Sequence, residues 1–313
     1  MIVDLPNTTT SKISKTLVSL REEGGMVALG RVLTLIIATP TESKELAIEA
    51  ANDASREHPM RVIVVETVPA TEGAESRLDA EIRVGGDAGA SEVIVLRATG
   101  EVGTDEQSLV MGLLLPDAPV VVWWPDAAPE RPGDTPLGRI ATRRVTDAAV
   151  HADPQTALRN LVEHYLPGDT DLAWTRLTLW RGQLAAVLDQ PPYEPITEIA
   201  VSGSVDSPSA TLIAAWLQLQ LGVPARFELT ADGPQGLHRV HLIRPSGTVE
   251  LERSSDGVAR LIQPGQPTHD LALPRRSLRD CLADELRRLD PDELYGAVLT
   301  VGLGALPHPA PLS

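Results

Sequence analysis

Ser202-Gly-Ser-Val-Asp-Ser-Pro-Ser209 places four serine hydroxyls within eight residues where they could bind a ligand. It follows an apolar run and precedes an apolar helical stretch, so it is predicted to link a buried strand to a helix N-terminus. Backbone N–H groups and the helix dipole there can hold a phosphate or carboxylate. Ser202, Gly203, Ser204, Ser207 and Ser209 are therefore candidate anion contacts, and the alternative function they suggest is a sensor or enzyme that binds a phosphorylated sugar. The competing reading is a well-capped loop, with Ser207 as N-cap and Pro208 in the first turn. The loop itself contains no Lys or Arg. Pro119-Val-Val-Val-Trp-Trp-Pro125 is the second unusual segment. Adjacent tryptophans at the end of a strand point to opposite faces. At least one is then expected near the carboxyl edge of a sheet, where α/β folds place their crevices. Trp123 and Trp124 are candidate interface anchors, and core packing is the alternative for both.

Other patterns promise less. No Gly-x-Gly-x-x-Gly follows the first strand-like run, and no phosphate loop ends in Gly-Lys-Ser/Thr, so no nucleotide cofactor is expected. Gly85-Gly-Asp-Ala-Gly89 lies between two strand-like runs and reads as a turn. His238 and His241 are three apart on a predicted strand, on opposite faces, which is poor geometry for a shared metal. A single cysteine, Cys281, excludes an internal disulfide and a cysteine-rich metal site, and it reads as a buried helix residue.

These segments must be positioned by a chain of 313 residues, long enough for two domains. Ser11–Glu23 reads as a helix closed by Gly24-Gly25. The apolar runs 31–38, 61–66, 80–84, 92–98 and 119–124 alternate with helical patterns at 41–57, 105–115 and 153–166. The β-branched runs read as strands buried on both faces, as in parallel sheets. The first half is thus an α/β domain with a largely parallel sheet. After Pro167 the pattern changes. A long helix over 171–188, a strand over 196–201 and a helix from Ser207 to Leu221 precede four short runs at 225–230, 237–244, 248–253 and 258–263. Gly, Pro and Asp-Gly turns between those runs suggest an antiparallel meander. Two helices, 277–289 and 291–301, and a Pro-rich tail complete a smaller α+β domain. The boundary is placed between 166 and 167.

The formal charge is −16, which argues against nucleic acid and anionic membranes as partners. No run approaches the roughly 18 apolar residues of a spanning helix, and the opening Met1-Ile-Val-Asp-Leu-Pro has no signal-peptide pattern. A cytoplasmic location is expected. Only Lys12, Lys15 and Lys44 among the 27 basic residues are lysine, a bias typical of GC-rich genomes.

The chain resembles the glucose-6-phosphate dehydrogenase assembly protein (OpcA) family over nearly its whole length. The resemblance rests on residues 31–38, on His58-Pro-x-Arg61-Val-Ile-Val, on the Trp-Trp-Pro segment, on Thr170-Asp-Leu-Ala-Trp-Thr-Arg-Leu-Thr-Leu-Trp-Arg181, and on Val201-Ser-Gly-Ser with Pro208-Ser-Ala-Thr-Leu-Ile-Ala-Ala-Trp-Leu217. It implies a non-catalytic cytoplasmic partner of glucose-6-phosphate dehydrogenase that promotes assembly or activity, serving the oxidative pentose phosphate pathway and NADPH supply. The arginine bias suits an actinobacterial member. Candidate interface residues are then Trp123, Trp124 and Pro125, with Arg176 and Arg181. With Cys281 alone, an intramolecular thiol switch cannot operate. Glu163-His-Tyr-Leu166 is similar to the Asp-His-Tyr-Leu signature of the dehydrogenases themselves. Pro167-Gly168-Asp169 replaces the Gly-Lys that follows there, so the segment reads as a helix end.

Overall fold

A computed structural model describes residues 1–23, 30–66, 75–85, 92–231, 235–255 and 257–306. The expected Gly24-Gly25 helix stop, most of the Gly85–Gly89 turn and the Pro-rich tail beyond Leu306 lie outside these residues. The chain divides into two compact units. The first comprises 1–147, 168–170 and 278–291, and the second 148–167, 171–277 and 292–313.

The first unit is built on an eight-stranded sheet of order β1-β4-β5-β3-β2-β6-β7-β8. Its strands are β1 (Ile2–Leu5), β2 (Leu33–Thr39), β3 (Met60–Glu66), β4 (Arg77–Arg83), β5 (Glu92–Thr99), β6 (Val120–Trp123), β7 (Arg143–Thr146) and β8 (Asp169–Asp171). Strands β5, β3, β2, β6 and β7 run parallel, while β4 and β1 join antiparallel at one edge. The expected α/β fold with a mostly parallel sheet is present. Every residue of β2, β3 and β6 is buried, including the charged Arg61 and Glu66 at the two ends of β3. The helices of this unit are α1 (Thr10–Glu23), α2 (Lys44–Ala54), α3 (Glu106–Met111) and α4 (Pro136–Ile140). Helix α1 lies where its sequence pattern places it, α2 and α3 are shorter than their patterns over 41–57 and 105–115, and α4 was not expected. Leu278–Arg287, the ninth helix of the chain, also belongs here and packs on α2.

Sequence reasoning missed β1, which is only four residues long, and β7 and β8, whose sequences are polar. In β7, Arg143 and Arg144 are buried through ion pairs: Arg143 Nε donates to Glu285 Oε2 at 2.9 Å, and Arg144 pairs with Asp169. A buried charge must be paired in this way, and hydropathy alone does not reveal the partner.

The second unit carries a six-stranded sheet, β10-β9-β11-β12-β13-β14. These strands are β9 (Glu198–Ser204), β10 (Ala225–Thr230), β11 (Leu237–Arg244), β12 (Gly247–Ser255), β13 (Gly257–Ile262) and β14 (His269–Leu273). The antiparallel meander is β9-β11-β12-β13-β14. One expectation is corrected: Ala225–Thr230 lies parallel to β9, on its far side, because helix α8 (Pro208–Leu221) crosses over between them. Before it come α5 (Pro154–Glu163), α6 (Leu172–Thr175) and α7 (Thr178–Leu188). The single helix expected over 171–188 is in fact α6 and α7, broken at Arg176-Leu177. There the Thr178 hydroxyl donates to the Thr175 carbonyl at 2.7 Å, a side-chain bond that competes with helix continuation. The last helical stretch holds α10 (Glu293–Ala297), with Leu278–Arg287 counted as α9, and then a π-turn at Val298–Gly302.

Candidate functional site

Among the described residues, the carboxyl edge of the first sheet and a cavity in the second unit contain residues singled out by sequence.

In the first unit, the chain leaves β2 toward β3 and later returns to β6 on the other side of β2. That reversal creates a switch point, the usual ligand crevice of doubly wound sheets. Here the gap is bridged by the protein itself. Asp126, three residues beyond β6, accepts from the Thr39 hydroxyl at 2.7 Å and from the Ser43 hydroxyl at 2.7 Å. Thr39 ends β2, and Ser43 is the N-cap residue of α2. The Asp126 carboxylate thus lies at the helix start where a dinucleotide's phosphates would approach. The connecting segment, Pro40-Thr41-Glu42-Ser43, has no glycine to let a phosphate near the backbone. Beside it, Glu66 at the end of β3 accepts from Thr41, Lys44 and Arg97 at 2.7–2.9 Å. Burial alone would raise the Glu66 carboxyl, but these three donors outweigh it and hold it below the usual carboxylate range.

Trp123 and Trp124 sit beside this edge. Trp123 is 0% exposed and Trp124 is 7% exposed. Val120, Val122 and Trp124 pack in one cluster with Ile36, Ala38, Ile63 and Val65, and alternation sends Trp123 to the opposite face. Neither indole forms an exposed surface. The neighbouring accessible residues are Pro125, which is half-buried, and Ala127, Glu130 and Arg131.

In the second unit, a cavity of about 370 Å³ is bounded by six separate segments, one of them contributing only Ala149. Asp206, Ser207, Pro208 and Ser209 at the start of α8 form one wall. Gln235 and Gly236 lead into β11. Arg176 and Leu177 lie between α6 and α7, with Trp180 one turn on. Arg253 comes from β12, and Pro274, Arg275 and Arg276 follow β14. The strand-to-helix loop is thus joined by four arginines that are remote in sequence. Arg253 Nη1 donates to Leu273 O at 2.7 Å, Arg275 Nη2 to Gln235 O at 2.7 Å, and Arg276 Nη1 to Thr175 O at 3.1 Å. The Arg253 guanidinium also lies 5.5 Å from the Trp180 ring centroid.

Of the five loop residues singled out by sequence, Ser207 and Ser209 line this cavity. Both also serve the fold: Ser207 Oγ accepts from Ala210 N at 3.3 Å, and Ser209 Oγ donates to Ala173 O at 2.7 Å. Ser202, Gly203 and Ser204 lie on β9. At Gly203 an added Cβ would be 2.5 Å from Ala210 Cβ, so glycine is what lets α8 pack against this strand. Ser204 Oγ accepts from Gly236 N at 2.8 Å and donates to Asp206. Arg176 lines the cavity and Arg181 does not. The Arg181 guanidinium stacks 3.7 Å over the Trp174 ring, whose Nε1 donates to Asp292 at 2.9 Å. Tyr165, in the segment similar to the dehydrogenase signature, packs edge-on against Tyr295 with centroids 6.2 Å apart. Among the described residues no group of three His, Cys, Asp or Glu could hold a metal ion, and no described helix is long and apolar enough to cross a membrane.

Comparison with known proteins gives two family matches. The model of the glucose-6-phosphate dehydrogenase subunit N-terminal domain matches residues 51–163, and that of the subunit's C-terminal domain matches residues 167–299. No curated protein matches the chain. Among solved structures, glucose-6-phosphate 1-dehydrogenase from Mycobacterium avium is 12% identical, with 87% of this chain and 91% of that chain covered at a TM-score of 0.41. An oxidoreductase from Pseudomonas syringae is 8% identical, with 90% and 92% covered at 0.43. Apo scyllo-inositol dehydrogenase from Lactobacillus casei is 11% identical, with 90% and 91% covered at 0.40.

Proposed function

The chain belongs to the glucose-6-phosphate dehydrogenase subunit (OpcA) family, and from that premise we propose that it is a non-catalytic subunit that binds glucose-6-phosphate dehydrogenase and favours its active assembly. The carrying observation is that family models match both halves of the chain, 51–163 and 167–299. Activation by a subunit requires tighter binding to the active assembly than to the inactive one. The chain would act where the dehydrogenase acts, in the cytoplasm, and support the oxidative pentose phosphate pathway and its supply of NADPH.

The geometry of the first unit supports the non-catalytic part of this reading. Asp126 lies across the switch point, bonded to Thr39 and Ser43. A carboxylate there repels the pyrophosphate that a dinucleotide would bring. For the contact with the dehydrogenase, the accessible segment Pro125–Arg131 is the proposed surface. It follows directly on the buried Trp123 and Trp124, whose strand is tied to β7 by Trp124 N donating to Val145 O at 3.0 Å. Co-purification with the dehydrogenase, followed by a rate assay, tests the proposal.

A further inference from the structure

The sheet of the second unit packs its core on one face. Val240, Leu242, Val249, Leu251, Ala259 and Leu261 all belong to that core. Alternation sends the residues between them to the other face. There, none of the described residues of β11–β14 is buried. An antiparallel sheet tolerates water on one face, so exposure alone points to no partner. The charge pattern does.

One row of side chains crosses this face. Arg239 on β11 is the cross-strand partner of Glu252 on β12, Glu252 of Arg260 on β13, and Arg260 of Asp270 on β14. The signs run plus, minus, plus, minus. Arg260 Nε lies 3.9 Å from Asp270 Oδ1, and these side chains are 51% and 68% exposed. Arg239 is exposed as well. Cross-strand pairs of opposite charge support the sheet itself. An alternating row of four has a second property: turned end to end, it is its own complement. A two-fold axis along the strands, between β12 and β13, lays one copy's face on another's with opposite charges in register. Glu252 then faces the partner's Arg260, and Arg239 faces the partner's Asp270, and each pair occurs twice. Such isologous contacts are the commonest in soluble oligomers. An axis along the strands also keeps the two sheets in aligned packing. Ile243 and Ile262, half-buried on the same face, add apolar surface beside the row.

At ~4.8 Å between strands and ~3.3 Å per residue, four strands of about seven residues present a face of roughly 20 Å by 23 Å. Two such faces cover on the order of 900 Å² before side-chain relief is added, close to the ~1,000 Å² at which specific interfaces begin. The chain's charge of −16 opposes self-association. At physiological salt that repulsion is screened beyond ~8 Å, whereas charges in contact lie within that range. We propose that the open face of the second sheet, centred on Glu252 and Arg260, joins two copies of this chain in a reversible isologous dimer. The proposal goes beyond the assembly reading and does not rest on it, because the chain is measured alone.

The test is sedimentation velocity on the full chain over a range of concentrations at physiological salt. The samples are the native chain, Arg239→Glu, Asp270→Arg, an equimolar mixture of those two variants, and Arg226→Glu, with circular dichroism checking that each variant folds. Arg239 and Asp270 are exposed, so neither replacement removes a core contact. They lie three strands apart, ~14 Å, too far to pair within one chain. Arg226 is an exposed control on β10, outside the overlapping strands. The native mass is expected to rise with concentration from one chain toward two. Each of Arg239→Glu and Asp270→Arg should dissociate at least tenfold more readily, and Arg226→Glu should behave as native. The mixture should regain the dimer, because pairing one variant with the other restores opposite charges at both contacts. The proposal is overturned if the native chain stays monomeric, if either single variant dimerises as well as the native chain, or if the mixture associates no better than its components. A monomeric native chain whose Arg239→Glu variant loses dehydrogenase binding would equally overturn it, and would give this face to the dehydrogenase.

Discussion

The Asp126 carboxylate lies 2.7 Å from the Thr39 hydroxyl, joining the segment after β6 to the end of β2. Its other oxygen takes the Ser43 hydroxyl at the start of α2. One side chain therefore closes the crevice that this topology creates, and it does so with a negative charge.

Asp126→Asn is expected to weaken both bonds, since hydrogen bonds to a charged group contribute about 1.5–3 kcal/mol each and neutral ones less. The melting temperature should fall by several degrees. The variant, like the native chain, should not reduce NADP when supplied with glucose 6-phosphate. Turnover by either pure protein would contradict the non-catalytic assignment.

Trp123→Ala and Trp124→Ala should each lose roughly 3–5 kcal/mol of stability, because both indoles are core. Charge reversal at the exposed Glu130 and Arg131 should instead leave melting unchanged and weaken dehydrogenase binding several-fold. Full-strength binding by that double variant would move the interface elsewhere.

Much of the fold is legible in the sequence, for definite reasons. Strands β2, β3, β5 and β6 are rich in β-branched residues, and in β2, β3 and β6 every residue is buried. Helix α8 announces itself through Ser207-Pro208 and ends at Gly222, whose φ of +67° is left-handed. What escapes is whatever depends on a partner distant in the chain. Arg143 and Arg144 look like surface residues until Glu285 and Asp169 arrive beside them. The cavity shows the same limit. Its loop was visible as Ser207 and Ser209, but its charge comes from residues 176, 253, 275 and 276. The Trp pair was visible as unusual, yet sequence could not decide whether it faced outward.

Acid should destabilise the first unit through Glu66 and Glu92. Burial alone would raise the Glu92 carboxyl, but Arg61, Arg21 and Arg31 outweigh it and hold it below its usual value of 4.5; Lys44, Arg97 and Thr41 do the same for Glu66. A carboxyl depressed in the folded state contributes stability that is complete above its unfolded value and is lost as pH falls through the folded one. Stability should therefore decline below about pH 4.5. Glu66→Gln should melt earlier at neutral pH and show a shallower acid dependence. An acid dependence identical to the native chain's would contradict this.

Cys281 is 0% exposed within the helix Leu278–Arg287. Cys281→Ser is expected to cost about 0.5–3 kcal/mol of stability and to leave activation of the dehydrogenase unchanged. A folded Cys281→Ser protein that no longer activates would show that the thiol takes part.

The central claim is tested most directly by mixing the purified chain with its glucose-6-phosphate dehydrogenase and recording both the mass of the complex by light scattering and the rate of NADP reduction. The account predicts co-elution as a heavier species and a faster rate than the dehydrogenase alone. Separate elution with an unchanged rate, for two folded proteins, would contradict it.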